Sequence, residues 1–411
     1  MTPAATPAAR PFRVDRNLRL LNALGVLTMA QPGFAIWVVY LLDFRHLTLA
    51  QIGIMEAFYW GVKLLMEVPS GAVADRFGRR AAFALGLVVE GSGVALFAFA
   101  SNFWLLLLSY VLWSSGFSLR SGNDQAYLYD ALAADDRSTE FAARSGVLNA
   151  LTTASFMLAG IAGGWIAEAT TLQVAMIVGV VPYLCGGIMI ATMQEPPRII
   201  GAEGHLPYMR TLRTAMQLLR RNAVVRYAIL THISVQTGFV VNILLVQPFL
   251  AEHGVAPALF GVFQAPASLA AAVASVSSAR VSRALGVQPL AAYAIGAIVG
   301  GLLVMIFVDS LWAFAGFIAV QTAIGIVMPA IDGYVNDRTE SNIRATIMSV
   351  VPLGMSITLM LVGPLAGIIG DVSLRLAFAA IAVLIVLGGV TSLLLWRAAE
   401  RAIALEVARV D

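Results

Sequence analysis

The chain has 411 residues, of which 59% are hydrophobic and 12% are charged, and its formal net charge is +3. Soluble domains carry roughly 45–50% apolar and about 25% charged residues, so this composition excludes a water-soluble globular protein. The apolar residues form continuous runs without the alternation typical of barrel strands, which excludes a transmembrane β-barrel and predicts a helical integral membrane protein.

A helix needs about 20 apolar residues to cross the hydrocarbon core of a membrane. Segments of this kind recur along the whole chain and predict an all-α fold with about twelve transmembrane spans and no soluble domain. The predicted spans, numbered 1 to 12 in chain order, cover residues 18–42, 50–71, 81–100, 103–130, 145–167, 172–193, 223–250, 257–279, 288–308, 310–335, 345–369 and 373–396.

The longest polar stretch of the chain separates six predicted spans from six. Within it, Thr211–Leu219 has helical spacing of arginines and apolar residues, which predicts a helix along the membrane surface. The predicted units are a cytoplasmic N-terminal tail (1–17), an N-terminal six-helix bundle (18–194), a cytoplasmic linker (195–222), a C-terminal six-helix bundle (223–396) and a cytoplasmic C-terminal tail (397–411).

The distribution of basic residues predicts how the chain is oriented. Most of the 26 basic residues fall in loops or span ends on the N-terminal side, whereas the opposite loops hold Arg45 and Arg375. The positive-inside rule then places both termini in the cytoplasm. We expect the protein to lie in the plasma membrane or inner membrane of the cell. The single cysteine, Cys185, lies inside span 6, where we expect a small core residue without a disulfide.

Two sequence signals recur 204 positions apart and indicate a duplicated half. The charged turn between spans 2 and 3 has an echo between spans 8 and 9, and a glycine pattern in span 5 has an echo in span 11. Duplicated membrane-embedded halves are typical of secondary transporters. The paired segments are Gly71–Arg80 with Ala279–Arg283, and Ala159–Gly163 with Gly363–Gly367.

The turn between spans 2 and 3 resembles the signature loop of the major facilitator superfamily. The residues that carry the resemblance are Gly71, Asp75, Arg76, Gly78, Arg79 and Arg80. The preceding Glu67-Val-Pro69-Ser70 is similar to the variant of bacterial drug/proton antiporters. The resemblance implies two pseudo-symmetric six-helix bundles that transport by alternating access, and it implies antiport.

Glycines in spans 5 and 11 resemble the antiporter glycine motif of the same family. Span 5 has a degraded copy, and the copy in span 11 keeps the proline that span 5 lacks. Small residues at such positions let helices pack closely. The predicted packing residues are Gly160, Gly163, Gly164, Gly363, Pro364 and Gly367.

The charged turn itself predicts a cytoplasmic gate. Asp75 is a carboxylate among arginines, so it can form ion pairs or cap a helix end, and such contacts can break and reform. Glycines here permit a tight turn and close helix approach. The alternative is a static turn whose charges only set topology. The gate residues are Gly71, Asp75, Arg76, Gly78, Arg79 and Arg80.

Six ionisable residues lie inside spans of the first half. Each ionised group at the bilayer centre costs roughly 2.5–3.5 kcal/mol, so such groups are kept where they face a cavity or pair with one another. At an offset of 204 their counterparts are all apolar, which favours a functional role over a scaffold role. The six residues are Glu56, Lys63, Glu67, Glu90, Arg120 and Asp124.

Helical spacing puts cations and carboxylates on shared faces, because Lys63 and Glu67 are four residues apart, as are Arg120 and Asp124. We predict that Glu67, Asp124 and Glu56 couple transport to protons. Glu90 is left out of this set, and a fixed salt-bridge network is the structural alternative. Residues predicted to tune these charges or to bind substrate are Lys63, Arg120, Asn123, Tyr127, Gln31, His232, Gln236, Asn242, Gln264 and Gln321.

The second half offers mostly neutral polar groups. Asp332 is expected to cap a helix end near the inner boundary of span 10. An apolar wall suited to an amphiphilic solute is expected in this half. Its residues are Phe239, Phe249, Phe263 and Met355.

These features predict a monomeric, proton-coupled exporter of small amphiphilic compounds. One alternative is an importer of an anionic nutrient or metabolite, in which Lys63 and Arg120 clamp the solute. A non-transporting membrane receptor is the alternative of another class, and an added soluble module or a long tail would mark it. The sequence contains no recognisable catalytic constellation, metal-ligand cluster or phosphate-binding loop. We therefore expect that the protein is not an enzyme and that it binds no cofactor or metal. The expected partners are a small-molecule substrate, protons and the lipid bilayer, without nucleic acid.

Overall fold

The computed structural model describes residues 12–197, 208–339, 347 and 350–410, which are helices and the turns between them. In the first half, spans 1 to 6 are Val14–Ala35 with Trp37–Phe44, Leu49–Phe77, Arg79–Phe99, Phe103–Arg120 with Asn123–Ala133, Ser138–Ala169, and Leu172–Thr192. In the second half, spans 7 to 12 are Ala223–Glu252, Pro257–Leu285, Val287–Phe307, Leu311–Asp337, Val350–Val372 and Leu374–Glu406.

The predicted all-α membrane fold is confirmed. Within the described ranges nine helices are long and apolar enough to cross a membrane, and ten if the bent pair of span 1 is one span. Spans 2 and 4 complete the two six-helix halves. They fall outside this set because their charged side chains lower their mean hydropathy.

A helix at Tyr208–Arg221 connects the two halves and packs against span 7. It contains the predicted segment Thr211–Leu219. Residues 198–207 of the predicted linker and residues 1–11 of the N-terminal tail lie outside the described residues.

Local signals set the ends of span 2. Its first turn is closed by a reciprocal capping box, in which Thr48 Oγ1 accepts from Gln51 N at 3.2 Å and Gln51 Oε1 accepts from Thr48 N at 3.0 Å. Gly78, at φ +101°, ends the helix, and span 3 begins at the next residue. Glycine reaches this left-handed backbone without steric cost, so the turn needs a single residue.

The structure corrects the register between the two halves. Span 3 begins at Arg79 and span 9 at Val287, 208 positions later, and the turns before them hold Gly78 and Gly286, both at positive φ. Span 5 ends at Ala169 and span 11 at Val372, 203 positions later. The single offset of 204 is therefore wrong, because connections of different length separate the spans in the two halves.

The corrected register changes the counterparts of the charged residues. Glu56, Glu67 and Asp124 correspond to Gln264, Ser275 and Asp332, which are polar. The expectation that all six counterparts are apolar is therefore wrong. It holds for Lys63, Glu90 and Arg120, whose counterparts are Ala271, Ile298 and Met328.

The two halves meet at the end of the bundle that lies away from both termini. Span 2 packs along span 11, and span 8 packs along span 5. At each contact two glycines face each other: a Cβ built on Gly53 would lie 2.5 Å from Gly363 O, and one built on Gly261 would lie 2.5 Å from Gly160 O. This backbone-to-backbone packing requires small residues on both helices.

Hydrogen bonds reinforce the same end. The Asp371 carboxylate of span 11 accepts from Leu49 N at 2.7 Å and from Ala50 N at 3.0 Å, so it caps the first turn of span 2 from the other half. Gln247 of span 7 accepts from Val38 N at 2.9 Å and donates to Phe34 O at 3.1 Å. Both contacts can break without leaving a charge buried.

Towards the termini the two halves separate. Residues on all sides of span 2 are exposed there, including Leu65 at 74%, Val68 at 47% and Phe77 at 63%. In the described part of the chain the bundle is therefore closed at one end and open at the other.

We expect Gly53→Ala and Gly261→Ala to weaken closure of this end, because each added methyl group would overlap the facing backbone. Spin labels at Thr170→Cys and Ala256→Cys, with Cys185→Ser, report the separation of spans 5 and 8 by pulsed electron resonance. The distance distribution should shift to a longer population in both variants. Gly296→Ala is the matched control, since nothing in the described part lies within 4 Å of its added Cβ. Unchanged distances in both variants would contradict the assignment of these glycines to closure.

Candidate substrate cavity and buried charges

Two adjacent cavities follow span 2 from the closed end towards the open end. The first, of about 210 Å³, is lined by Phe34, Trp37, Glu56, Tyr59, Trp60, Lys63, Tyr110, Trp113, Phe117 and Ile243. The second, of about 250 Å³, is lined by Lys63, Glu67, Ser70, Gly71, Arg79, Ser118, Ser121, Gly122 and Asn123. We call them the aromatic cavity and the polar cavity. Lys63 lines both, so its side chain stands between them.

Larger cavities, of about 600 Å³ each, lie within the second half alone. One faces spans 8 and 10 with apolar residues such as Phe263 and Trp312, and the other includes Arg283 and Glu400 near the terminal end. Neither is lined by any of the six ionisable residues of the first-half spans.

Glu56 lies on the floor of the aromatic cavity and is 9% exposed. Its Oε2 accepts a hydrogen bond from Trp60 Nε1 at 3.1 Å. No ion pair within 4.0 Å joins Glu56 to a cationic side chain in the described ranges. The site therefore contains a buried carboxyl group that has no direct ion pair among the described residues.

None of the residues expected to form an apolar wall in the second half lines this cavity. The rings that surround the cavity come from spans 1, 2 and 4 of the first half, and Ile243 is the contribution of the second half. Tyr59 joins them, with ring centroids 5.6 Å from Trp60, 6.2 Å from Tyr110 and 6.5 Å from Trp113. Sequence reasoning missed this wall because its residues come from three separate spans.

Lys63 and Glu67 lie on one face of span 2, as their spacing predicts, and both line the polar cavity. They form no ion pair within 4.0 Å among the described residues. The Lys63 ammonium instead lies 4.6 Å from the ring centroid of Trp60 and 5.3 Å from that of Phe117. Glu67 is exposed to the polar cavity.

Arg120 is occupied by Glu90, which the sequence prediction left out. Arg120 Nε donates to Glu90 Oε2 at 3.0 Å and its Nη2 donates to Oε1 at 3.3 Å, a bidentate pair in which Glu90 is fully buried. Tyr183 OH donates to Glu90 Oε1 at 2.9 Å, and Gln31 Nε2 donates to Tyr183 OH at 2.7 Å. Gln31 and Arg120 thus belong to one satisfied network rather than to either cavity.

The corrected register offers a signal for the pair of Glu90 and Arg120, because Glu90 is the one carboxyl residue among the three charged residues with apolar counterparts. Both residues are charged in the first half, and both have apolar counterparts in the second, Ile298 and Met328. A buried ion pair is expected to be present in one half and absent as a whole from the other, because either residue alone would leave an uncompensated buried charge.

The predicted shared face of Arg120 and Asp124 is wrong. Span 4 breaks between them, since its first helix ends at Arg120 and Gly122 adopts φ +80° before the second begins at Asn123. Asp124 thus lies in a helical first turn, where negative charge is favoured, and its Oδ1 accepts from Gln125 N at 2.8 Å.

The neighbours of Asp124 divide between the cavity and the scaffold. Asn123 lines the polar cavity, and its side-chain amide donates to Leu119 O at 2.6 Å. Tyr127 is buried away from both cavities, where its hydroxyl donates to Gln194 O at 2.6 Å. This contact ties span 4 to the end of span 6.

The candidates of the second half occupy two environments. His232 is buried, and its Nε2 lies 3.3 Å from Asp332 Oδ1 without the alignment of a hydrogen bond. Asp332 lies inside span 10 rather than capping its end, so that expectation is wrong. The side-chain carbonyl oxygens of Gln236 and Gln321 are buried and without a partner in the described ranges.

The other two candidates lie nearer the closed end. Gln264 Nε2 donates to Phe260 O at 3.3 Å and to Ala35 O of the first half at 3.4 Å. Asn242 is half-buried in a π-helical turn, Val241–Leu245.

The signature turn between spans 2 and 3 is held by Glu195, which the sequence did not single out. The Glu195 carboxylate accepts from Arg79 N at 2.7 Å and from Arg80 N at 2.9 Å, so it caps the first turn of span 3. The Arg80 guanidinium donates to Ile190 O at 3.1 Å and to Ala191 O at 2.9 Å. The turn is thus anchored to the end of span 6.

The remaining gate candidates lie around this anchor. Arg79 Nε lies 3.4 Å from Asp130 Oδ2, and Arg76 lies over the Phe77 ring at 5.4 Å. Asp75 lies exposed in the last turn of span 2. Nothing in the described part lies within 4 Å of a Cβ built on Gly71, so the close approach expected there is not seen in these residues.

The packing glycines lie at close helix contacts. A Cβ on Gly163 would overlap Pro32 O within the first half, and one on Gly164 would overlap Ala258 O across the halves. Gly367 lies against Leu49 O, and Pro364 lies beside Gly53.

We expect Glu90→Gln to destabilise the protein strongly, because it leaves the Arg120 charge buried without its partner. Breaking a buried ion pair from one side costs about 3–5 kcal/mol. The measurement is the unfolding transition of purified protein in detergent. The double variant Glu90→Leu with Arg120→Met should recover much of the loss. Glu140→Gln, at a partly exposed pair with Arg137, is the control and should change less. Equal stability of Glu90→Gln and Glu140→Gln would contradict a structural role.

Comparison with known proteins agrees with this architecture. The model of the Major Facilitator Superfamily matches residues 20–308 and 227–408. Among curated relatives, an uncharacterised MFS-type transporter, YxaM of Bacillus subtilis (strain 168), is 32% identical over 102 residues, 25% of each chain. The class G tetracycline resistance protein of Vibrio anguillarum is 27% identical over 155 residues, 36% of this chain and 38% of that protein.

A third relative, the D-xylose transporter of Levilactobacillus brevis, is 28% identical over 151 residues, 36% of this chain and 31% of that protein. The matches thus span between a quarter and two-fifths of these relatives' lengths.

Solved structures match over nearly the whole chain. The nucleoside transporter NupG gives a TM-score of 0.73 at 12% identity and covers 93% of this chain and 98% of that chain. A bacterial homolog of the human lysosomal transporter Spinster, inward-facing and unoccupied, gives a TM-score of 0.75 at 18% identity, with 95% and 98% covered. At these identities the likeness concerns the fold. Two duplicated six-helix halves and a family match along both of them lead to one conclusion: the chain belongs to the Major Facilitator Superfamily of transporters.

Proposed function

We propose that this transporter is a proton-coupled exporter of small amphiphilic compounds. The observation that carries the proposal is the pair of cavities along span 2, open towards the termini and closed at the other end, with Glu56 and Glu67 facing them. An apolar compartment beside an ionisable one suits a solute that has an apolar body and a polar group.

Alternating access follows from the contacts between the halves. The closed end is held by close glycine packing, by the Asp371 cap on span 2 and by the Gln247 hydrogen bonds. Rocking of the halves would break these contacts and close the terminal end around the signature turn. The concentration of basic residues at that end supports a cytoplasmic location by the positive-inside rule, and the proposal takes this structure as the inward-open state of a monomeric protein.

Proton coupling is assigned to Glu67 and Asp124, with Glu56 as the deeper carboxylate. Glu67 is exposed to the polar cavity in this state and would lose contact with water when the terminal end closes. Loss of water favours the neutral form of a carboxylate, so closure and proton binding would be linked. The Lys63 side chain lies on the same face of span 2 and lines the same cavity.

The anion importer is less well supported. Its clamp needs Lys63 and Arg120 together, but Arg120 is buried and engaged by the Glu90 carboxylate. The export direction draws on the motif variant at Glu67-Val-Pro69-Ser70 and on the partial match to a tetracycline resistance protein. A receptor without transport would have no use for two adjacent cavities that lead along span 2 towards the open end of the bundle.

The test of coupling compares Glu67→Gln and Asp124→Asn in proteoliposomes. Both should keep substrate exchange across the membrane while their response to a pH gradient falls at least tenfold, because the neutral side chains cannot carry a proton. Glu252→Gln is the control, since Glu252 is exposed outside both cavities. A normal pH-gradient response in both variants would move coupling to Glu56 or to the His232–Asp332 pair.

The test of the gate is Asp75→Asn. It should lower transport several-fold at an unchanged amount of protein in the membrane, because the variant lacks the negative charge that the proposed gate places among the arginines of the turn. Asp43→Asn, at an exposed position near the closed end, makes the same chemical change as a control. If Asp75→Asn transports as well as Asp43→Asn, the turn is static.

A further inference from the structure

The aromatic cavity has the chemistry of a cation site. Seven of its lining residues are aromatic, and the faces of such rings carry negative electrostatic potential that attracts cations. The Glu56 carboxyl group faces the same cavity, and its ionised form adds a negative charge that no cationic side chain pairs within 4.0 Å in the described ranges. Rings and carboxylate therefore favour the same sign of charge in a ligand.

The protein itself already places a cation in this cavity. The Lys63 ammonium lies over Trp60 and Phe117, although Glu67 stands one helical turn away and no ion pair joins the two. Lys63 also separates the aromatic cavity from the polar cavity. Withdrawal of this side chain would both vacate the ring faces and join the two cavities.

We propose that the aromatic cavity binds organic cations with an apolar body, and that the cation takes the place of the Lys63 ammonium on the rings of Trp60 and Phe117. The inference rests on the proposed transport function and names the substrate class for the same site. The cationic nitrogen lies between the rings and Glu56, the apolar body packs against Tyr59, and the Lys63 side chain moves into the polar cavity.

Other solute classes fit this cavity less well. An anion would face both the Glu56 carboxylate and the negative ring faces, with Lys63 as its single attraction. A sugar would need a set of hydrogen-bonding partners, and the lining offers mainly rings. The volume of about 210 Å³ suits a small ammonium ion or the cationic head of a larger molecule.

The experiment measures equilibrium binding to the purified full chain in detergent, with two probes of nearly the same shape and opposite charge. Benzyltrimethylammonium should bind, and benzylsulfonate should bind at least tenfold more weakly. Glu56→Gln and Trp60→Leu should each weaken cation binding about tenfold. Lys63→Met should strengthen it several-fold, because it removes both a competitor and a like charge. Trp104→Leu, at a ring that is 73% exposed, is the matched control.

The sign of the Lys63→Met effect decides the proposal, since a gain in affinity cannot come from misfolding. Loss of cation binding in Lys63→Met, preference for benzylsulfonate, or no binding of either probe would each overturn it. Binding in detergent needs no pH gradient, so its outcome is independent of the proteoliposome test of proton coupling. A cation binder whose Glu67→Gln and Asp124→Asn variants still respond to pH would retain this inference and lose the proposed coupling residues.

Discussion

The buried ion pair of Arg120 and Glu90 is the interaction on which the first half depends. An arginine at this depth is tolerated only with a partner of opposite charge and hydrogen bonds to its remaining donors. Glu90 supplies the charge from span 3, while Thr28 accepts from Arg120 and Tyr183 donates to Glu90. Spans 1, 3, 4 and 6 are thereby fixed to one another. Arg120 is engaged in this network and lines neither cavity.

This arrangement affects the charged residues of span 2. With Arg120 engaged elsewhere, Glu56 and Glu67 remain on the cavity face without an ion pair in the described ranges, and the Lys63 ammonium rests on aromatic rings. At the corresponding positions the second half has mainly neutral groups. Gln264, for example, corresponds to Glu56 in the corrected register. His232 and Asp332 are the exception, a close but poorly aligned pair in spans 7 and 10. The ionisable face therefore belongs to one half, and the closing contacts belong to both.

Sequence reasoning succeeded where a signal is local. The spans follow from hydropathy, and the shared face of Lys63 and Glu67 follows from a spacing of four within one unbroken helix. It failed where a break or a distant partner intervenes. Gly122 separates Arg120 from Asp124, and Glu195 reaches the turn at Gly78 from 117 positions along the chain. The offset of 204 failed for a related reason, since one number cannot describe spans joined by connections of unequal length.

The sequence by itself determined that this is a helical membrane protein with two duplicated halves and with the family loop at Gly71–Arg80. Each of these properties can be predicted from composition or from residues close together in the chain. The tertiary structure alone decided which charged residues form ion pairs and which face a cavity. Glu90 and Glu56 are both carboxyl residues inside predicted spans, yet one lies against Arg120 and the other against Trp60 in an aromatic cavity. The physical reason is that, in a medium of low dielectric constant, the role of a charge depends on what lies within a few ångströms of it, and residues distant in sequence supply those neighbours.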